Sequence, residues 1–358
     1  MLVGLWDQTL GKPMAQQIFY YDAKRTYNTK FEVITECSDF SKVRFYFYDE
    51  IYSNLDWSKT PTHNLKQLYK ERAQQIRDEY DYVVIAYSGG IDSTNILETF
   101  YYNDIHIDEI LMVGGFSKDT DKALDENHNR EIYDNCFPTL NALKLPNTFV
   151  NLQDYSLLFD DPSNFSILQH EDWPARIGTH WSPHHFFWHD IHKHLGCKKP
   201  SSRIALILGC DKPFFDVTEM KGYFLDSGII PYGRTNFNVK DNTSVINFYS
   251  HPDPQSANIT MKQWSLLKNF FSEKKLSKYA TSKIYTEVVN KMMYNLKHPI
   301  VYTGAKSLDY TFSKRDQFIL KFKSPVVDAY LKGMMQIQNT KQVKNFSTSI
   351  FTRFYDVK

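Results

Sequence analysis

Residues 82–93 read YVVIAYSGGIDS, and the fold turns on how that stretch divides. Tyr82–Tyr87 is an unbroken apolar and aromatic run, the pattern of a strand buried on both faces. Ser88-Gly89-Gly90-Ile91-Asp92-Ser93 follows at once, and Thr94–Tyr102 reads as a helix. Consecutive glycines between a strand and a helix let the backbone turn tightly and aim several N–H groups at one anion. Ser88 and Ser93 add hydroxyl donors, and the helix directs its positive end to the same point. The stretch is therefore expected to cradle a multiply charged phosphate. Asp92 would repel that phosphate directly, and it makes sense there if Mg²⁺ bridges it to the phosphate oxygens.

Outward from this loop, strand and helix patterns alternate. Upstream, Leu65, Leu68, Tyr69, Ala73, Ile76 and Tyr80 recur near helix spacing and predict a helix over Thr62–Tyr80. Downstream, Glu109–Val113 is a second strand ending at Gly114-Gly115, and Asp121–Leu143 a long helix. Thr148–Leu152 is a third strand, and residues 160–182 are a Pro- and Trp-rich loop. Pro183–Leu195 suits a helix with Pro in its first turn and Gly196 just past its end. Arg203–Leu208 is a fourth buried strand, ending in Gly209-Cys210-Asp211-Lys212-Pro213. Such alternation implies right-handed crossovers and a mostly parallel sheet with helices on both faces. Ligands of such sheets bind at the carboxyl ends of the strands, where all three glycine-bearing segments fall.

The flanks read differently. Phe31–Thr35 and Val43–Tyr48 are short aromatic and β-branched runs, so residues 1–62 are expected to be a small β-rich region. Residues 63–215 form the α/β unit. Residues 216–358 are expected to be mixed and mainly helical: Gly222–Pro231 and Thr243–Tyr249 suggest short strands, Lys262–Phe271, Lys283–Leu296 and Val326–Met335 helices.

Composition narrows the function classes. The chain has 358 residues, 42% hydrophobic and 23% charged, an ordinary globular balance with room for a sizeable core. Lys and Arg (42) nearly cancel Asp and Glu (41), leaving +1, so there is no basic excess of the kind that drives duplex nucleic-acid binding. Nucleic acid stays open as a substrate without support from net charge. Cys37, Cys136, Cys197 and Cys210 are widely spaced with no C-x-x-C pair, which disfavours a zinc or disulfide framework. MLVGLWDQTL lacks the basic and apolar segments of a signal peptide, and no apolar run approaches a bilayer span. A cytoplasmic protein, not a membrane one, is expected.

S-G-G-x-D-S directly after a strand resembles the signature of the PP-loop ATP pyrophosphatases, a superfamily that includes asparagine synthetases, β-lactam synthetase and GMP and NAD synthetases. The resemblance implies a parallel α/β/α sandwich of the PP-loop, HUP-like kind. It also implies ATP and Mg²⁺ as cofactors, and adenylation of a substrate oxygen with release of pyrophosphate. The order of elements is most similar to the asparagine synthetase or adenine nucleotide alpha hydrolase-like domain, over residues 64–215. There Val113-Gly114-Gly115-Phe116-Ser117 resembles the segment bordering the adenine. Asp125-Glu126-Asn127 to Glu131 is similar to an acidic helix, and Gly209-Cys210-Asp211 to a loop that helps hold metal-pyrophosphate. Two departures stand out. Lys212-Pro213 follows Asp211 where asparagine synthetases carry Glu, and the chain begins Met1-Leu2-Val3 without the N-terminal cysteine of a glutaminase.

The implied assignments are Ser88, Gly89, Gly90, Asp92 and Ser93 on pyrophosphate, with Val113, Gly114, Phe116 and Gly209 completing the nucleotide site. Asp92 and Asp211 are assigned to Mg²⁺, and Asp92, Lys212 and Lys306 to catalysis. Each has a plainer reading beside it: Asp211 can simply shape an Asp-Lys-Pro turn, and Lys212 and Lys306 can be solvated surface lysines. His180, His184, His185, His189, His192 and His194 are concentrated, and His185, His189 and His192 share a helix face. They suit a metal site, a substrate-facing base or ordinary packing. Arg176, Arg203 and Arg234 are candidates to grip a substrate anion, and Cys136 with Cys210 for sulfur transfer. The expected function is an ATP-dependent ligase with an amine as nucleophile, a small-molecule acceptor and no glutaminase of its own. A nucleobase- or tRNA/DNA-modifying enzyme using the same adenylation is the first alternative, and a non-catalytic nucleotide-binding protein the second. The sequence does not settle the oligomeric state.

Overall fold

The computed structural model describes residues 6–7, 12–13, 18–27, 29–114, 131–154, 191–197, 199, 201–209, 213–226, 242–250, 253–274, 289–294, 296–300, 328, 331–332, 335–336, 339, 350 and 352–357. At the start of the chain β1 (Trp6–Asp7) and β2 (Lys12–Pro13) pair antiparallel. β3 (Ile18–Tyr21), β4 (Thr26–Tyr27) and β5 (Arg44–Phe47) form a second antiparallel sheet in the order β4-β3-β5. The run Phe31–Thr35, expected as a strand, lies instead inside helix α1 (Lys30–Glu36). Two local features override its β-branched composition. The Thr29 side chain caps the helix by accepting from the Glu32 N–H, and the buried residues Lys30, Val33, Ile34 and Cys37 fall at helical spacing.

After the short helix α2 (Asp49–Tyr52), α3 (Leu65–Glu79) starts on a capping box: Asn64 accepts from Gln67 N, and the Gln67 side chain returns to Asn64 N. Its buried face is Leu65, Leu68, Tyr69, Arg72, Ala73 and Ile76, the stripe read from the sequence with Arg72 added and without Tyr80, which is the half-buried C-cap. Then come β6 (Tyr82–Ala86), α4 (Ile91–Tyr101), β7 (Glu109–Gly114), a π-helical turn over Ile132–Cys136 continuing into α5 (Phe137–Ala142), and β8 (Phe149–Asp154). β9 (Ile204–Leu208) is buried at every position. β10 (Phe214–Asp216), β11 (Lys221–Tyr223), β12 (Thr243–Asn247), α6 (Pro254–Lys274) and β13 (Tyr355–Asp356) complete the chain.

One five-stranded sheet organises these elements, in the order β12-β9-β6-β7-β8, with every pairing parallel. β6, β7 and β8 step outward in one direction, whereas β9 returns to the other side of β6 and β12 lies beyond it. The order therefore reverses between β6 and β9, and parallel α/β sheets place their ligands at the carboxyl ends of the strands at such a point. The edge strand β12 comes from past the boundary drawn at residue 215. Among the described residues beyond 216 are β11, β12 and β13 as well as α6. Each large aliphatic side chain buried along β6 and β9 contributes about 1.5–3 kcal/mol, which fixes the two strands on either side of this reversal.

A second body of core joins the ends of the chain. β13 pairs with β11, which pairs with β10. Phe224 packs at 4.8 Å from Phe47 and 4.7 Å from Tyr52, and Trp264 stacks at 5.8 Å from Tyr355. Ion pairs add to this packing: buried Lys30 Nζ lies 3.0 Å from buried Asp226 Oδ2, and Nη2 of the exposed Arg353 lies 2.7 Å from Oδ2 of buried Asp49. No helix among the described residues is long and apolar enough to cross a membrane.

Candidate functional site

The SGGIDS segment leaves the carboxyl end of β6, the middle strand of the sheet, and opens α4, with Gly90 as N-cap. Gly89 turns the chain with φ +77°, a left-handed conformation that favours glycine. It also lies against the next layer, because a Cβ there would sit 2.7 Å from the Glu131 carbonyl oxygen and 2.9 Å from Cys136 Sγ. Gly90 supplies no side-chain cap to α4. At the end of β9, a Cβ on Gly209 would lie 2.9 Å from Ser93 N and 3.2 Å from Asp92 C. Glycine at 209 thus lets the strand end approach the first turn of α4 without a side chain covering the Ser93 amide.

Within the loop the two serines serve the backbone themselves. Ser88 N donates to Ser93 Oγ and Gly90 N to Ser88 Oγ, both at 3.3 Å, and the two hydroxyls are 3.1 Å apart. Amide bonds of that length are beyond the usual range of 2.7–3.2 Å and are weak. The serine hydroxyl oxygens stand where an anion's oxygens would accept the same amides.

Asp92, half-buried in the first turn of α4, is gripped from two sides by residues distant in sequence. The Tyr294 hydroxyl donates to its Oδ1 through a short hydrogen bond. The Tyr249 hydroxyl donates to its main-chain oxygen at 2.9 Å, and Asn95 Nδ2 donates to that same hydroxyl at 3.0 Å. Burial and the Asp92 charge hold both phenols well above their ordinary pKa, so they stay protonated donors. Three residues further along α4 from Asn95, buried Glu98 accepts the Lys297 and His298 amides at 2.8 and 2.7 Å.

The remaining expected residues divide into three groups. Val113 and Gly114 end β7, next to β6 and at the same end of the sheet as the loop. Phe116, Asp211, Lys212, Lys306, Cys210, Arg176, Arg234, His180, His184, His185 and His189 lie outside the described residues. Arg203 sits at the amino end of β9, where its N–H donates to Asp81 Oδ2 at 2.9 Å. That is the opposite end of the sheet from SGGIDS, so Arg203 does not grip a ligand there. Cys136 is fully buried, its thiol is pushed up by desolvation, and its Sγ approaches the Tyr87 carbonyl at 3.8 Å. It is a packing residue, which removes support for sulfur transfer. His192 lies in a short 3-10 turn, Ile191–Lys193, with Nδ1 buried. Among the described residues, no cluster of three or more His, Cys, Asp or Glu is placed to hold a metal ion.

Three residues at the site were not picked out by the sequence. Tyr294 and Tyr249 are separated from Asp92 by 202 and 157 positions, and nothing local marks them. Glu131 had been placed only at the end of an acidic helix. Its main chain abuts Gly89, and burial raises its carboxyl above the ordinary value. Comparison with family models, curated proteins and solved structures returns no match to the chain.

Proposed function

We propose that the chain is an ATP-dependent ligase. It would adenylate a substrate carbonyl or carboxyl oxygen, release pyrophosphate and join an amine to the activated carbon. The observation that carries this reading is the place of SGGIDS: the carboxyl end of the central parallel strand, at the point where strand order reverses. There it opens an 11-residue helix that has no side-chain cap. The residues present fit an anion. Gly90 brings no side-chain cap to the start of α4, and Gly209 has no side chain where one would press on Ser93 N at 2.9 Å.

Ser88, Gly89, Gly90 and Ser93 would hold the outer phosphates, and Val113, Gly114 and Phe116 would border the adenine. Asp92, joined by Asp211, would hold Mg²⁺, which usually takes only one or two protein carboxylates together with phosphates. Lys212 and Lys306 would offset negative charge. Bound MgATP supplies an activated phosphorus and a good leaving group. The chain's own part is to bind, orient and stabilise charge with donors already in place.

The test is pyrophosphate release from MgATP with a panel of carboxylates and amines, comparing wild type with Asp92→Ala. Loss of an outer-shell metal partner costs about 10–100-fold, so removing a direct ligand is expected to cost at least about a hundredfold. Equal rates would remove Asp92 from the metal. A wild-type chain that releases no pyrophosphate and binds no ATP would sink the reading.

A further inference from the structure

We infer that Tyr294 is a positioning residue for Asp92, holding the carboxylate that would carry Mg²⁺ in one orientation beside the phosphate loop. The inference rests on the ligase reading above and adds a part to it. Its basis is the hydrogen bond from the buried Tyr294 hydroxyl to Asp92 Oδ1. A phenol hydroxyl facing a carboxylate oxygen donates to it. Carboxylates that ligate metals are themselves commonly oriented by such outer partners.

The tyrosine is not free to swing away. The Tyr69 hydroxyl, held by Gln263 Nε2 at 3.1 Å, donates to the Met293 carbonyl at 3.1 Å. Four residues after Tyr294, His298 gives Glu98 both its N–H, at 2.7 Å, and a ring-nitrogen contact at 2.8 Å. Lys297 Nζ lies 3.4 Å from the centre of the Tyr102 ring. Tyr294 thus lies opposite the first turn of α4 and His298 opposite the last. Asp92 is clamped on its main-chain side as well, by Tyr249.

The test is calorimetric binding of α,β-methylene-ATP to the full chain, with Mg²⁺ and with EDTA. The variants are Tyr294→Phe and, as a control, Tyr82→Phe, whose hydroxyl donates to Glu109 Oε2 at the other end of the sheet, each shown to be folded by thermal melting. Tyr294→Phe is expected to lose about tenfold or more of the Mg²⁺-dependent gain in affinity. Its affinity in EDTA should stay that of wild type, and Tyr82→Phe should keep the gain. If Tyr294→Phe keeps the full gain, or both variants lose it alike, the positioning role is wrong while the nucleotide reading stands. If wild type binds equally with and without Mg²⁺, Asp92 carries no metal and the inference falls with that assignment alone. Failure of wild type to bind the nucleotide at all would overturn both. Should Tyr294→Phe not fold, 3-fluorotyrosine placed at position 294 keeps the shape and changes the donor strength. An unchanged Mg²⁺-dependent gain would then refute the inference.

Discussion

Replacing Gly89 by alanine tests the conformation on which the SGGIDS loop depends. Two costs add. At φ +77° an L-residue pays for the approach of its Cβ to neighbouring main chain, about 1–2 kcal/mol. The new methyl would also sit 2.7 Å from the Glu131 carbonyl oxygen, 2.9 Å from Cys136 Sγ and 3.2 Å from Asn135 Cβ. Those atoms belong to the packed turn before α5 and cannot swing aside, so overpacking adds about 1–3 kcal/mol. Together Gly89→Ala should destabilise the chain by about 2–5 kcal/mol. Gly90→Ala is the internal control, since its Cβ would meet Ser88 Oγ at 3.4 Å, ordinary van der Waals contact, with φ −75°. Exchanging Gly for Ala at an N-cap costs up to about 1 kcal/mol. Urea unfolding followed by tryptophan fluorescence reports both, provided the slope is unchanged. If Gly89→Ala costs no more than Gly90→Ala, the left-handed turn and its close packing against Glu131 are both refuted.

Two further substitutions probe the walls of the same site. Gly209→Ala places a methyl 2.9 Å from Ser93 N, so stability should fall by about 1–3 kcal/mol, and α,β-methylene-ATP binding should weaken in calorimetry. A variant unchanged on both counts would mean that β9 and α4 do not approach closely. Glu131→Gln tests burial of a charge: the folded carboxyl is raised above 4.5, so its ionised form is disfavoured in the fold. That penalty is absent below the ordinary carboxylate range and grows as pH climbs through the raised value. The glutamine variant should therefore melt above wild type at neutral pH and level with it in acid, and a difference independent of pH would refute the assignment.

Much of this fold is legible because it is local. The apolar runs that became β6 and β9 are buried on both faces, and the stripe on α3 is a plain 3.6-residue repeat. The loop could be placed because strand, glycine pair and helix adjoin in sequence. Local composition misled at Phe31–Thr35, where β-branched residues outweighed the cap at Thr29 and the helical spacing of the buried positions. Arg203 precedes its strand, so it had to emerge at the end of the sheet away from SGGIDS. The addition of β12 beside β9, and the arrival of Tyr249 and Tyr294 at Asp92, depend on tertiary packing between distant segments. No periodicity or motif encodes such contacts.

The place of Asp92 sharpens the choice between a carboxylate that merely balances a helix and one that carries a cation. In the first turn of α4 its charge is favoured by the helix's positive end, by about 0.3–1 kcal/mol at exposed positions. A resident anion there competes with an incoming phosphate for the same field. At a separation of about 4 Å two like unit charges repel by about 1 kcal/mol in water and about 4 kcal/mol at the lower dielectric near a protein surface. A carboxylate that only balanced the helix would therefore oppose nucleotide binding under all conditions, and Asp92→Ala would tighten it with or without Mg²⁺. A carboxylate that holds the metal gives opposite signs. The alanine variant should bind nucleotide at least about fivefold more tightly in EDTA, where only repulsion is lost, and more weakly in Mg²⁺, where a ligand is lost. The reversal of sign is the discriminating result, because general damage to the loop would weaken binding under both conditions.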